Sequence, residues 1–277
     1  MDSHRFADLK TRGARIRDDL LGWVTIALAA AFIGFVGVSI AALLLRAIPA
    51  TLLAELERPV VTQALLLSAE TTLAAAALIV IFGTPLAAVL TLRFPGQSLI
   101  ETLVTLPVVL PPVVAGMALL LAFGRAGLLG RSLHAAGIDI AFTSIAVVLA
   151  QVFVAAPLYV SAAKSAFERI DRDVVDAAAT LRASPAYAFV RVVLPSALPA
   201  LWAGLGLAWA RALGEFGATI TFAGNLPGVT QTMPLAVYVE GQEDLNAAIA
   251  VSVLLLLVSF VVLLALRRFA GARASST

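Results

Sequence analysis

Six stretches of this chain, residues 20–45, 71–92, 102–124, 140–163, 192–210 and 245–266, contain no Asp, Glu, Lys or Arg. A helix rises about 1.5 Å per residue, so about 20 such residues cross a hydrocarbon core about 30 Å thick. The chain has 277 residues, 61% hydrophobic and 13% charged, with a mean hydropathy of +1.01. Soluble domains hold about 45–50% apolar and about 25% charged residues, so the solvent for most of this chain is lipid. A seventh uncharged stretch, 216–239, carries Gly224, Asn225, Pro227, Gly228, Thr230, Gln231, Thr232 and Pro234. Such backbone is tolerated at membrane depth only inside protein or beside a wet cavity, so this stretch is expected to be a surface or re-entrant segment.

Basic residues test the count of crossings, because Lys and Arg gather on cytoplasmic loops. Six crossings with both ends inside place 14 of the 19 basic residues in the cytoplasm and five outside. A seventh crossing would move Arg267 and Arg268 outside. The expectation is an all-α polytopic membrane protein with six transmembrane helices and cytoplasmic N and C termini. It has a cytoplasmic segment at 1–19, an uncleaved first helix at 20–45 and a cytoplasmic tail at 267–277. The alternative for the first helix is a secretory signal, but the apolar run is too long and no A-x-A site follows it.

Several chemistries are excluded. The chain lacks cysteine and has only His4 and His134, which leaves no thiolate or histidine metal centre and no cofactor site. A phosphate-binding loop needs G-x-x-x-x-G-K-[S/T], but the two lysines, Lys10 and Lys164, follow Leu9 and Ala163. No file of carboxylates runs through a span, as a proton-coupled carrier would require.

The cytoplasmic loop between the fourth and fifth spans is charged yet patterned. Ile170, Val174, Val175, Ala178 and Leu181 recur at helical spacing, with Asp171 or Asp173 placed to cap. Ser184-Pro185 reads as the start of a second short helix ending near Val192. An apolar stripe in so short a loop needs a partner groove or the membrane surface. In the spans, Pro111 and Pro112 predict a kink in the third. Gly206, Ala210 and Gly214 form a ridge of small residues on the fifth, and Arg211 and Glu215 are spaced to pair at its outer end.

The run Asp176-Ala177-Ala178-Ala179-Thr180-Leu181, followed by Val192-Val193-Leu194-Pro195, resembles the EAA loop of ABC importer permeases, with Asp for the usual Glu and Arg182 at the usual Gly. Leu106-Pro107-Val108-Val109-Leu110-Pro111-Pro112-Val113-Val114, the run Ala210–Thr219, the run 223–228 and the run 230–235 are similar to molybdate-type permeases. The resemblance covers about 68–266 and implies a type I importer permease core with its EAA-like loop at 164–195. It implies a homodimer in the bacterial inner membrane, with two copies of a cytoplasmic ATPase and a periplasmic oxyanion-binding protein. The chain is then a transport subunit without enzyme activity of its own, bathed in lipid and without nucleic acid.

The resemblance assigns coupling to Asp176, Ala177, Ala178, Leu181 and Arg182. Pathway or gate candidates are Pro111, Pro112, Arg211, Glu215, Thr219, Asn225 and Gln231. The outermost loop holds Glu215, Glu240, Glu243 and Asp244 against Arg211, so a tight anion site is not expected there. Instead Thr219, Thr221, Asn225, Thr230, Gln231 and Thr232 offer a neutral hydrogen-bonding route. Molybdate is the expected cargo, with tungstate and sulfate as alternatives because all three are tetrahedral dianions. An ATP-independent secondary transporter or channel is the alternative from another class.

Overall fold

The computed structural model describes residues 3–47, 49–171, 173, 180 and 182–274. The chain divides into two compact units, Met1–Ile48 and Pro49–Thr277. The first consists of helix α1 (Ser3–Arg46). From Gly22 to Arg46 it is apolar on all sides, with Trp23, Phe32 and Phe35 exposed, the surface of a helix made for lipid or another helix.

The second unit begins with α2 (Pro49–Glu57) and the long α3 (Pro59–Val89), which Pro59 opens at a position where no amide is needed. Then follow α4 (Gln97–Val109), α5 (Pro112–Phe123), the short α6 (Gly130–Ala135) and α7 (Ser144–Glu168). Thr143 caps α7 by accepting from the Ala146 amide at 3.4 Å. After the loop that follows α7 come α8 (Pro185–Ala188), a π-helical turn (Phe189–Val193) and α9 (Leu194–Leu213). The unit closes with α10 (Gly217–Phe222), α11 (Met233–Glu243) and α12 (Leu245–Ala274).

Two sequence expectations change here. The third span is folded rather than kinked: α4 and α5 meet at 119° across Leu110-Pro111. Two successive prolines remove two amides and force extended backbone before each ring, so the helix stops and restarts. The pair still joins the two ends of α7. Glu101, near the start of α4, pairs with Lys164 at 2.7 Å, while Phe123 at the end of α5 packs on Phe222, whose carbonyl accepts from the Phe142 amide just before α7. Helices α1, α3, α7, α9 and α12 are each long and apolar enough to cross a membrane, and the broken pair makes six if it counts as one span. The second change is at the elbow, where α8 does not end near Val192 but runs into α9. The Leu194 amide reaches back to the Phe189 carbonyl, five residues, which makes room for the ring of Pro195.

Small residues let the helices approach closely. A Cβ on Gly204 of α9 would lie 2.7 Å from Ala162 Cβ on α7, and one on Gly83 of α3 would lie 3.0 Å from Tyr159. Gly206 faces Leu266 of α12, so the ridge read from the sequence serves a contact within the chain. Three apolar clusters result. One joins α3, α7 and α9 around Ile79, Tyr159 and Leu201, and another joins α5, α7 and α10 around Leu119, Val147 and Phe222. The third joins α3, α11 and α12 around Val61, Met233 and Val251.

Candidate functional site

Helix α7 delivers the chain to the loop expected to be cytoplasmic, where Asp171 Oδ1 accepts from the Asp173 amide at 3.0 Å. Asp176, Ala177, Ala178 and Leu181 lie outside the described residues. Arg182 is exposed with φ 62°, the left-handed conformation that glycine adopts freely. The turn is therefore kept without the glycine, at a strain of about 1–2 kcal/mol. Two residues on, Ser184 Oγ accepts from the Tyr187 amide at 3.2 Å and caps α8 as its sequence predicts. Between α8 and the inner ends of α3 and α7 lies a groove of about 860 Å³, lined by Leu92, Arg93, Phe167, Glu168 and Phe189. Phe167 and Phe189 meet edge to face at 5.6 Å, which fixes one wall.

The uncharged stretch after α9 folds back along α3. The Met233 amide donates to Ser68 Oγ at 2.8 Å, and Ser68 lies nine residues, about 14 Å, into α3. From there α11 climbs back until Glu240 pairs with Arg58 at 2.8 Å, at the head of α3. Gly224 and Gly228 turn this loop with φ of 75° and 73°. Thr219, Thr230, Gln231 and Thr232 are buried. Thr230 Oγ1 accepts from the Leu226 amide at 2.9 Å, and Thr221 Oγ1 donates to the Gly217 carbonyl at 2.9 Å. Thr219 Oγ1, Asn225 Oδ1, Gln231 Oε1 and Thr232 Oγ1 are buried oxygens with no hydrogen-bond partner among the described residues. Gln151 Oε1 on α7 is a fifth, although its Nε2 donates to Thr71 Oγ1 at 3.2 Å. Each such group costs about 1–3 kcal/mol of desolvation, so together they are unspent hydrogen-bonding capacity inside the protein.

Arg211 and Glu215 do pair, at 2.6 Å. Glu215 is 1% exposed, and its second oxygen accepts from the Ala218 amide at 2.7 Å, so it also caps α10. Helix α10 is locked to α5 by two glycines. A Cβ on Gly116 would lie 2.7 Å from the Ala218 carbonyl, and one on Gly217 would lie 2.5 Å from Pro112 Cβ. Pro111 and Pro112, Arg211 and Glu215, and Thr219 therefore meet around one short helix. Asn225 and Gln231 belong to the loop that follows.

Residues 79–275 match the family described as binding-protein-dependent transport system inner membrane component. The chain belongs to that family. It is a multi-pass inner-membrane transport component with the fold of type I ABC importer permeases. Over 248 residues, 89% of this chain and 93% of the relative, it is 46% identical to the molybdenum transport system permease protein ModB of Mycobacterium tuberculosis. The same figures hold for ModB of Mycobacterium bovis. In fold it is similar to a bacterial ABC transporter involved in the import of the acidic polysaccharide alginate, with a TM-score of 0.71, 15% identity and coverage of 95% of this chain and 99% of that one.

Three polar sites of this transport component escape a reading by sequence. Lys164 reaches Glu101 and Glu168, and Arg58 bridges Glu55 at 2.7 Å and Glu240 at 2.8 Å. On the outer loop, Asp139 accepts from Arg125 Nε and Nη2 at 3.1 and 3.0 Å and lies 2.9 Å from His134 Nδ1. The Arg125 guanidinium, helped by His134, holds the Asp139 carboxyl below its usual range. Three of these six pairs, Lys164–Glu101, Arg58–Glu240 and Arg125–Asp139, join residues 14 or more positions apart. Gln151, an amide within a largely apolar span, was a local signal for a further buried polar contact.

Proposed function

We propose that this chain is the permease subunit of an ATP-driven importer for molybdate. Likeness over 89% of the chain to a molybdenum permease carries the reading. Two copies form the translocation pathway, and two copies of a cytoplasmic ATPase grip the loops bearing Asp176, Ala177, Ala178, Leu181 and Arg182. A periplasmic binding protein delivers the anion. The partnerless oxygens of Thr219, Asn225, Gln231 and Thr232 suit this task, because hydroxyls and rotated amides can donate to an oxyanion without binding it tightly. Half-exposed Arg211 is tied to buried Glu215, so it is not free to trap a dianion there. On this reading α10 and the re-entrant loop form the gate, and affinity resides in the binding protein.

Vesicles reconstituted with permease, ATPase and binding protein are expected to take up molybdate only with ATP and binding protein together. Replacing Asn225 or Gln231 with Leu is expected to slow uptake while assembly with the ATPase persists. Uptake without ATP would move the chain to the secondary-transporter class, and preferential uptake of sulfate or tungstate would change the cargo.

A further inference from the structure

We propose that the Lys164–Glu101 ion pair is a strut that carries movement of the cytoplasmic loop to the gate, an inference that rests on reading that loop as the ATPase contact. Lys164 stands one helical turn before Glu168, the last residue of α7, so it sits at the root of the loop. Its Nζ lies 2.7 Å from Glu101 Oε1 and 3.4 Å from Glu168 Oε1. Gln97 Nε2 donates to the same Glu101 oxygen at 2.9 Å and to the Leu90 carbonyl, where α3 ends, at 2.7 Å. The ends of α3, α4 and α7 are thus tied at one node. With side-chain exposures of 23% for Lys164 and 32% for Glu101, the pair is less screened than one in open water.

Beyond the node the chain has the parts of a linkage. Helix α4 runs from Gln97 to Val109, with Pro107 within it, and stops at Leu110-Pro111, where neither Pro111 nor Pro112 has an amide to carry the helical ladder across the break. Helix α5 follows, keyed to α10 by Gly116 and Gly217 so tightly that neither helix slides without the other. Glu215 holds the first turn of α10 through the Ala218 amide. A displacement at Lys164 therefore pushes α4, turns α5 about the proline break and shifts α10. Lys164 and Glu101 are positioning residues, since neither touches the re-entrant loop. The competing route runs through α7 alone, whose outer part packs on α10, and it needs no ion pair.

The test uses the full permease with its ATPase and binding protein in proteoliposomes, measuring molybdate transported per ATP hydrolysed alongside co-purification of the ATPase. Lys164→Glu and Glu101→Lys are each expected to lower that ratio about tenfold, within the usual range of coupling between sites. ATPase co-purification is expected to stay normal. The exchanged double variant is expected to recover most of the ratio, which a merely structural pin tolerant of either charge would not require. Where a reversal prevents insertion, Glu101→Gln and Lys164→Met carry the same expectation at about fivefold. A ratio unchanged in the single variants overturns the strut in favour of α7 alone, and so does a double variant that inserts and assembles yet remains uncoupled. Loss of ATPase binding by wild-type protein would instead refute the loop contact itself.

Discussion

Glu215 illustrates how one side chain acquires two duties from its place in the chain. It follows α9 by two residues and precedes α10 by two, so one oxygen faces Arg211 and the other faces the Ala218 amide. Removing either partner is not symmetrical. Arg211→Met leaves a carboxylate that is 1% exposed with no counter-charge and is expected to cost about 2–3 kcal/mol. Glu215→Gln keeps an acceptor for the amide and frees an arginine whose side chain is 36% exposed, so about 1 kcal/mol is expected. Unfolding midpoints of both variants in detergent check this order, and an equal or reversed loss would deny Glu215 its burial. Arg182 shows a different economy, in which a left-handed turn persists although the residue pays strain that glycine would avoid.

At the scale of elements, the broken third span matters most. A continuous helix from 97 to 123 would put Gly116 on a rod parallel to its neighbours, whereas the 119° fold lays α5 against α10. The contact is backbone to backbone, so it tolerates no added carbon. Gly116→Ala places a methyl 2.7 Å from both the Ala218 carbonyl and Thr221 Cβ and is expected to destabilise the unit by about 1–3 kcal/mol. Gly206→Ala, whose new carbon would meet Leu266 at an ordinary 3.7 Å, serves as the control and is expected to be nearly neutral. Thermal unfolding of the two variants separates them, and equal midpoints would show that α5 and α10 yield to one another.

For the whole molecule, charge placement predicts the orientation. The Lys164–Glu101 node and the elbow after α7 lie at one end of that helix, while the Asp139 clamp precedes its other end. Because the chain has no cysteine, single cysteines at Ser132 and Ser184 report sidedness directly. In intact cells an impermeant maleimide is expected to label position 132 and not position 184. The opposite pattern would remove the sixth crossing.

Sequence by itself determined the solvent, the apolar stretches long enough to cross it, the cap at Ser184 and the polar break after α9. Those features depend on hydropathy, charge placement and local backbone chemistry, which act over a turn or a span and are written in adjacent residues. Only the tertiary structure decided that Pro111-Pro112 folds the third span instead of kinking it, because the angle is set by what α5 packs against. Tertiary structure also decided which polar groups meet. Lys164 and Glu101 are 63 positions apart, and Gln151 and Thr71 are 80 apart. No periodicity encodes such pairs, since their energy arises when helices buried in lipid bring polar atoms together away from water.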